Sequence, residues 1–236
     1  VIGADGGRSV IRAYVTDQTP SYAGYTVWRW LVAAKGIVGP PSGRRSVAGV
    51  VYETLGFPSA GPDGGVMWNC GVYLATPESE VAAPTRNRQV GTPAKDVPAW
   101  FVPLTRALFN ERSSRFWEEC VRQGKVSPHP VWELAADRVF RGRIALLGDA
   151  AHMASPRTGA GAYTAMVDAV VLGEALMQAP SIEQGLAQYN LDTVQRGQEL
   201  FRRSRAAARA FAPEGRTIVS PSQLLRDLTR QSQLNI

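Results

Sequence analysis

The sequence predicts an α/β (α+β) chain: a parallel-sheet domain interrupted by an antiparallel β-rich layer, with long helices toward the C-terminus. Three observations carry this expectation. RIALLGDAAHMASPRTGAGAYTAMVD, from Arg143 to Asp168, reads as a buried strand ending on an acid, a small-residue turn, and a glycine-spaced loop opening into a helix. Three runs rich in Val, Tyr and Trp, from Tyr25 to Ala34, Ser46 to Leu55 and Gly65 to Ala75, are separated by clusters such as GPPSGRR and GFPSAGPDGG, the pattern of antiparallel strands. Beyond Gly161 the chain turns to helical patterning.

In chain order, VIGADGGRSVIRAYV is expected to be a strand ending at the Asp5-Gly6 turn, then a short helical segment. The three β-rich runs follow. From Pro77 to Pro98 the chain is polar and Pro-containing, a loop with some helix. Leu104 to Gln123 has a helical pattern, with Leu104, Leu108, Phe116, Cys120 and Val121 among its apolar positions. His129 to Phe140 returns the chain to the strand at Arg143. A helix is expected from about Gly161 to Met177; Ser181 with Gln184 resembles a capping box opening another, to about Ala212. The last twenty residues have some helical character, and no internal repeat is visible. The expected division puts residues 1–17 and 136–236 in one domain and 18–135 in the β-rich layer with its helix.

At 236 residues, 44% hydrophobic and 19% charged, the chain is globular rather than disordered. Most of the net charge of +6 lies between Arg196 and Arg230, where arginines outnumber Glu199, Glu214 and Asp227. No aromatic interleaving or nucleic-acid motif accompanies them, so a solvated helix face is expected, not a nucleic-acid partner. Cys70 and Cys120 show no metal-ligand spacing with His129 and His152; two buried thiols and no metal are expected. No apolar run is long enough to span a membrane, since Asp168 and Glu174 interrupt the helix after Gly161. No signal peptide is visible, and a cytoplasmic location is expected. The chain opens inside a strand at Val1, so its front end looks removed.

The chemistry concentrates where strands end on acids. Asp149 and the free N–H groups of the following helix start are expected to face one crevice at a strand's carboxyl end, where open α/β sheets bind ligands. Unpaired N–H groups and the helix dipole favour negative charge or an electron-rich ring there. Bland readings stand beside this one: Asp5-Gly6 as a tight turn, Gly159 and Gly161 as helix-entry flexibility, His152 as a structural residue, and Trp28, Trp30, Trp68 and Tyr73 mostly as sheet core. Alternation still leaves one face of each strand to line a pocket, with Trp28, Asn69 and Tyr73 as candidates.

Two distant segments share one form. Gly3, Ala4, Asp5, Gly6, Ser9 and Arg12 match G-A-D-G-x-x-S-x-x-R, and Gly148, Asp149, Ala150, Ala151, His152, Pro156, Gly159 and Gly161 match G-D-A-A-H-x-x-x-P-x-x-G-x-G, with Asp168, Ala169 and Leu172 continuing the pattern. In these motifs the chain resembles the FAD-dependent aromatic monooxygenases of the para-hydroxybenzoate hydroxylase type. YAGYTVWRWLV and GRIALLGDAAH look most similar to the branch acting on hydroxylated pyridines (2,6-dihydroxypyridine 3-monooxygenase-like). The resemblance implies an FAD-binding parallel-sheet domain, a β-rich substrate-binding layer, and an N-terminal βαβ unit with G-x-G-x-x-G that this stretch lacks.

It also implies a site. Asp149 would accept hydrogen bonds from ribityl hydroxyls, and the amides of Ala162 and Tyr163 would meet the pyrimidine edge of the flavin. Gly159, Ala160 and Gly161 would let the backbone approach the ring. Pro156 would shape the turn beside it, and Asp5, Gly6 and Arg12 would complete the cofactor-binding set. Tyr163 stands where the family commonly has Asn, which leaves the backbone N–H in place. No catalytic residue is nominated. The implied reaction is hydroxylation of a small aromatic or N-heteroaromatic substrate with NAD(P)H and molecular oxygen, with a homodimer as a further expectation. The substrate is expected between the β-rich layer and the flavin ring. The alternatives are a non-catalytic remnant or scaffold that cannot bind FAD alone and, ranked below hydroxylation, an FAD enzyme that halogenates or reduces.

Overall fold

The computed structural model describes residues 1–33, 42–81, 97–124 and 126–234. The chain forms two compact units: Val1–Ala23 with Val131–Arg209, and Gly24–Pro130 with Ala210–Ile236.

In the first unit, β1 (Ile2–Gly3) pairs in parallel with β8 (Ile144–Leu146), placing Gly3 opposite Leu146. The short β7 (Phe140–Arg141) adds to β8 antiparallel, so the sheet is mixed, and its parallel pair joins the two segments that carry the sequence motifs. The end of β6 (Ser127–Ala135) pairs with β9 (His152–Met153). Two helices follow: α3 (Gly161–Gln178) and α4 (Ile182–Ala208). Ser181 caps α4 as its sequence suggests, its hydroxyl accepting from the Gln184 amide at 3.2 Å. The core gathers Val15, Val139, Leu146, Ala150, Leu172, Leu186 and Tyr189. Tyr189 is fully buried and donates to the Leu146 carbonyl at 2.7 Å, tying α4 to the strand that ends at the second motif.

In the second unit, β3 (Gly43–Val47), β4 (Val50–Ala60), β5 (Val66–Ala75) and the main part of β2 (Ser21–Ala33) form an antiparallel sheet in the order β3-β4-β5-β2. One sheet face, with Trp28, Trp30, Tyr52, Cys70, Val72 and Leu74, packs with the buried side chains of α1 (Phe101–Leu108), α2 (Glu111–Arg122) and α5 (Pro221–Leu234). Cys70 and Cys120 are both free and lie in this core; burial pushes the Cys70 thiol up to about 12 and raises Cys120 as well.

Three elements differ from the sequence expectation. Ser46 to Leu55 contains a hairpin turn rather than one strand, because Ala48 and Gly49 adopt positive φ (50° and 77°), the geometry of a two-residue turn. The helix expected over Leu104 to Gln123 is two helices: Asn110 leaves helical geometry and accepts from the Ser113 amide at 2.9 Å, capping α2. Residues 210–236, expected with the first unit, belong to the second: Phe211 stacks near Tyr73 (5.3 Å) and Tyr25 (5.0 Å), while Leu224 and Leu228 enter its core. Residues 82–96 of the expected loop and residues 39–41 of GPPSGRR lie outside the described residues. Among the described residues no helix is long and apolar enough to cross a membrane, and no His, Cys, Asp and Glu cluster suits a metal ion.

The buried Trp117 indole donates to Thr54 Oγ1 at 3.0 Å across the helix–sheet interface. Thr54→Val removes the acceptor and leaves a buried N–H unsatisfied, so denaturant unfolding is expected to show a loss of about 1–3 kcal/mol. An unchanged midpoint would contradict that packing role.

Candidate cofactor site

The site is built where β1 and β8 end side by side. After β1 the chain turns at Gly6 (φ 78°), and the Asp5 carboxylate reaches forward to accept from the Val10 amide at 2.8 Å and the Ile11 amide at 3.4 Å. Burial, the largest single influence on Asp5, raises its pKa. The hydrogen bonds from Ser9, Val10 and Ile11 outweigh it and hold the carboxyl below its ordinary value.

After β8 the chain makes one 3₁₀ turn, Gly148–Ala150, that carries Asp149. Gly148 has a φ of 62°, and a Cβ there would lie 3.0 Å from the Ala165 side chain of α3. Only glycine accommodates both the backbone geometry and that contact. The same contact brings the Asp149 turn against the first turns of α3.

Arg12 joins the two motifs. It is 6% exposed; its Nε donates to the Ala150 carbonyl at 2.8 Å, and its Nη2 to the carbonyls of Gly7 and Asp149, each at 3.0 Å. Burial lowers the guanidinium pKa, and the nearby charges of Asp5 and Asp149 partly restore it.

The far side of the Asp149 turn is held by a buried ionic network. Asp168, fully buried on α3, accepts from the Gly148 amide at 3.1 Å and from His152 Nε2 at 2.5 Å. Its other oxygen accepts from Arg196 Nε at 3.2 Å and Nη2 at 3.0 Å. His152 is 2% exposed and paired to a carboxylate, in keeping with the structural reading of its sequence context.

The next loop is pinned the same way. The Ser155 amide donates to Ser204 Oγ at 2.5 Å, and Ser204 donates in turn to the buried carboxylate of Glu133, which also accepts from Arg205 at 3.0 Å. Pro156 opens a single 3₁₀ turn, Pro156–Thr158, and Gly159 closes it with φ 62°. α3 then begins at Gly161 behind Ala160, which supplies no side-chain cap. The Thr164 amide is the first to close a helical hydrogen bond, to the Ala160 carbonyl at 2.9 Å. The amides of Gly161, Ala162 and Tyr163 precede it, and the first turn carries no acid. A Cβ added at Gly159 or Gly161 would find nothing within 4 Å.

The Asp149 carboxylate contrasts with this fastened frame. It is solvent-accessible and has no hydrogen-bond partner among the described residues, yet surrounding protein raises its pKa; the charges of His152 and Arg12 pull it partly back. An unpartnered carboxylate thus shares a site with an uncapped helix N-terminus, an arrangement suited to hydroxyl donors and an electron-rich ring edge.

A family model described as an FAD binding domain matches residues 1–204. The chain belongs to this FAD-binding family. Its relatives include the 3-amino-4-hydroxybenzoate 2-monooxygenase of Streptomyces cremeus, 32% identical over 239 residues, covering 96% of this chain and 54% of that protein. Another is an FAD-dependent urate hydroxylase of Klebsiella pneumoniae, 28% identical over 211 residues and covering 87% of this chain and 50% of the relative. The chain thus spans about half the length of the curated relatives it matches. In fold it is similar to 2,6-dihydroxypyridine-3-hydroxylase from Arthrobacter nicotinovorans, with a TM-score of 0.65 and 22% identity over 93% of this chain and 61% of that one.

Against this frame, Asp5, Gly6, Arg12, Asp149, Pro156, Gly159, Ala160, Gly161, Ala162 and Tyr163 all fall within the first unit. The three substrate candidates on the β-rich sheet do not share a face. Tyr73 pairs with Val27 and Asn69 with Leu31, whereas Trp28 pairs with Val72 on the opposite face, 6% exposed and packed edge-on against Trp100 at 5.5 Å. Trp28 is a core residue; Asn69 accepts from Arg29 at 3.1 Å on the other face.

Arg196, expected on a solvated helix face, instead turns inward to the buried Asp168, and Ser204 and Glu133 had no role expected from the sequence. Glu133 carried a signal, since it lies two residues from Val131, on the same inward strand face, where an acid needs a partner. Arg196 and Ser204 are separated from their partners by long stretches of chain and had none.

The raised pKa of Asp149 has a sign consequence. An acid whose folded pKa exceeds its unfolded value lowers stability as pH rises through that window, because the native state holds the proton more tightly. Asp149→Asn is therefore expected to raise the melting temperature of the flavin-free chain at neutral pH, with the difference from wild type shrinking as pH falls into the acidic range. A variant less stable than wild type at neutral pH would contradict the raised pKa of this carboxylate.

Proposed function

We propose that this chain carries the flavin-contacting part of an FAD-dependent monooxygenase that hydroxylates an aromatic or N-heteroaromatic substrate with NAD(P)H and molecular oxygen. The observation that carries the proposal is the pairing of the unpartnered Asp149 carboxylate with the uncapped N-terminus of α3, within an FAD-binding family. The names of its relatives, a urate hydroxylase and an aminohydroxybenzoate monooxygenase, support ring hydroxylation as the reaction class.

In this reading Asp149 accepts hydrogen bonds from the ribityl hydroxyls of FAD. The amides of Ala162 and Tyr163 donate to the pyrimidine edge of its ring, and the helix dipole adds about 0.3–1 kcal/mol toward negative charge there. The open space at Gly159 and Gly161, with only the methyl of Ala160 between them, admits the ring to the backbone. Pro156 and Gly159 fix the loop, while Asp5, Gly6 and Arg12 hold the first motif beside the Asp149 turn. FAD supplies the redox chemistry when bound; the protein supplies position, electrostatics and exclusion of water. Asn69 is the substrate-facing candidate of the β-rich sheet, since Tyr73, 8% exposed, is stacked against Phe211; a homodimeric assembly belongs to the same proposal.

The test is retention of flavin. FAD added to the full protein is expected to remain bound through desalting, and Asp149→Ala to weaken binding by about tenfold or more, the worth of charge-assisted hydrogen bonds. A wild-type protein that retains no flavin would overturn the proposal and leave the scaffold reading.

A further inference from the structure

We propose that Asp168 is a positioning residue of this site: it holds the turn from Gly148 to His152 in the geometry that presents Asp149, and Arg196 fixes Asp168 in place. The inference rests on the FAD reading above and deepens it.

Asp168 lies two turns into α3 and is fully buried. Its four hydrogen bonds use the whole accepting capacity of a carboxylate: the Gly148 amide at 3.1 Å and His152 Nε2 at 2.5 Å on one oxygen, Arg196 Nε at 3.2 Å and Nη2 at 3.0 Å on the other. Nothing remains on it to touch a cofactor. Two of its donors flank Asp149 in the chain, so its influence passes through that turn.

The grip is directional. Because an ionised carboxylate only accepts, His152 must present Nε2–H to it. The other ring nitrogen, Nδ1, is buried without a partner, so among the described residues Asp168 alone orients the imidazole by hydrogen bonding. Gly197 of α4 lies against the ring, where a Cβ would stand 3.3 Å from the His152 Cβ, which limits its sideways movement. Arg12 secures the opposite edge of the same turn through the carbonyls of Asp149 and Ala150. The turn is clamped by the Gly148 amide on one side and the Asp149 and Ala150 carbonyls on the other, and the Asp149 carboxylate itself has no partner among the described residues.

Arg196 completes the device. It is only 25% exposed, is steadied by Thr193 Oγ1 at 3.0 Å, and neutralises a charge that would otherwise be buried alone. In Asp168→Asn one accepting oxygen would face the Gly148 amide, His152 and Arg196, and a new NH₂ would meet donors.

A double-mutant cycle separates positioning from direct contact or general stability. FAD affinity is measured by flavin fluorescence for wild type, Asp168→Asn, Asp149→Ala and the double variant. Asp168→Asn is expected to weaken FAD about tenfold in the wild-type background and less than about twofold when Asp149 is already Ala, because its effect travels through Asp149. Equal losses in both backgrounds would overturn the proposal. The second arm needs no flavin and survives poor folding of Asp168→Asn. In Arg196→Gln, the Gly148 amide is expected to exchange hydrogen about tenfold faster or more, while amides in the middle of α4 keep their protection. Unchanged protection at Gly148 would also overturn it. If wild type retains no FAD, the function proposed above falls, and the exchange arm still decides the positioning role.

Discussion

One buried guanidinium holds the site together. Arg12 belongs to the first motif, yet two of its bonds go to carbonyls of the second, at Asp149 and Ala150, and the third to Gly7 of its own loop. The parallel pairing of β1 and β8 brings the loops side by side but leaves both free to move beyond the last ladder bond. The planar fork of arginine spans them with fixed geometry, which a flexible ammonium does not reproduce. The Ala150 bond is the buried one: that carbonyl, deprived of its donor, would be left unsatisfied at a cost of about 1–3 kcal/mol, while the part-buried bonds to Gly7 and Asp149 set the fork's geometry.

The same logic recurs on the far side of the site. Two buried carboxylates, Asp168 and Glu133, are each paired with an arginine of α4, Arg196 and Arg205, and each controls one loop. Such pairs contribute little net stability, because desolvation offsets much of the attraction, but breaking one costs about 3–5 kcal/mol. Their value lies in fixing geometry. α4 thus acts as a rail: it holds the Asp149 turn through Asp168 and the Ser155 loop through Ser204. Between these fastened segments the Asp149 carboxylate and the first amides of α3 have no internal partners among the described residues. Solvent-facing hydrogen-bonding capacity left unmet beside a fastened frame is the physical mark of a binding site.

Much of this was legible in the sequence because the decisive features are local. Asp149 at a strand end, the glycine-spaced loop after it and the helix start with its free amides can all be read from neighbouring residues. What stayed hidden depended on contacts between distant residues. Arg196 reaches Asp168 across 28 residues, and Ser204 reaches Ser155 across 49, with no pattern in the intervening chain to announce either. Trp28 kept two readings, sheet core and pocket candidate, for a related reason: alternation identifies two faces, but only the register with β5 tells which face carries Asn69 and Tyr73. The split of the expected helix at Asn110 turned on a single side-chain cap, and the hairpin at Ala48-Gly49 on two backbone angles.

The site depends on the fork of Arg12 rather than on its charge. The most direct measurement is the FAD dissociation constant of Arg12→Lys, which keeps the positive charge beside Asp5 and Asp149 but cannot bond the Gly7, Asp149 and Ala150 carbonyls at once. Loss of that geometry predicts binding weaker by about tenfold or more, with the circular dichroism of the folded chain retained. Binding equal to wild type would contradict the claim that one guanidinium sets both loops for the cofactor.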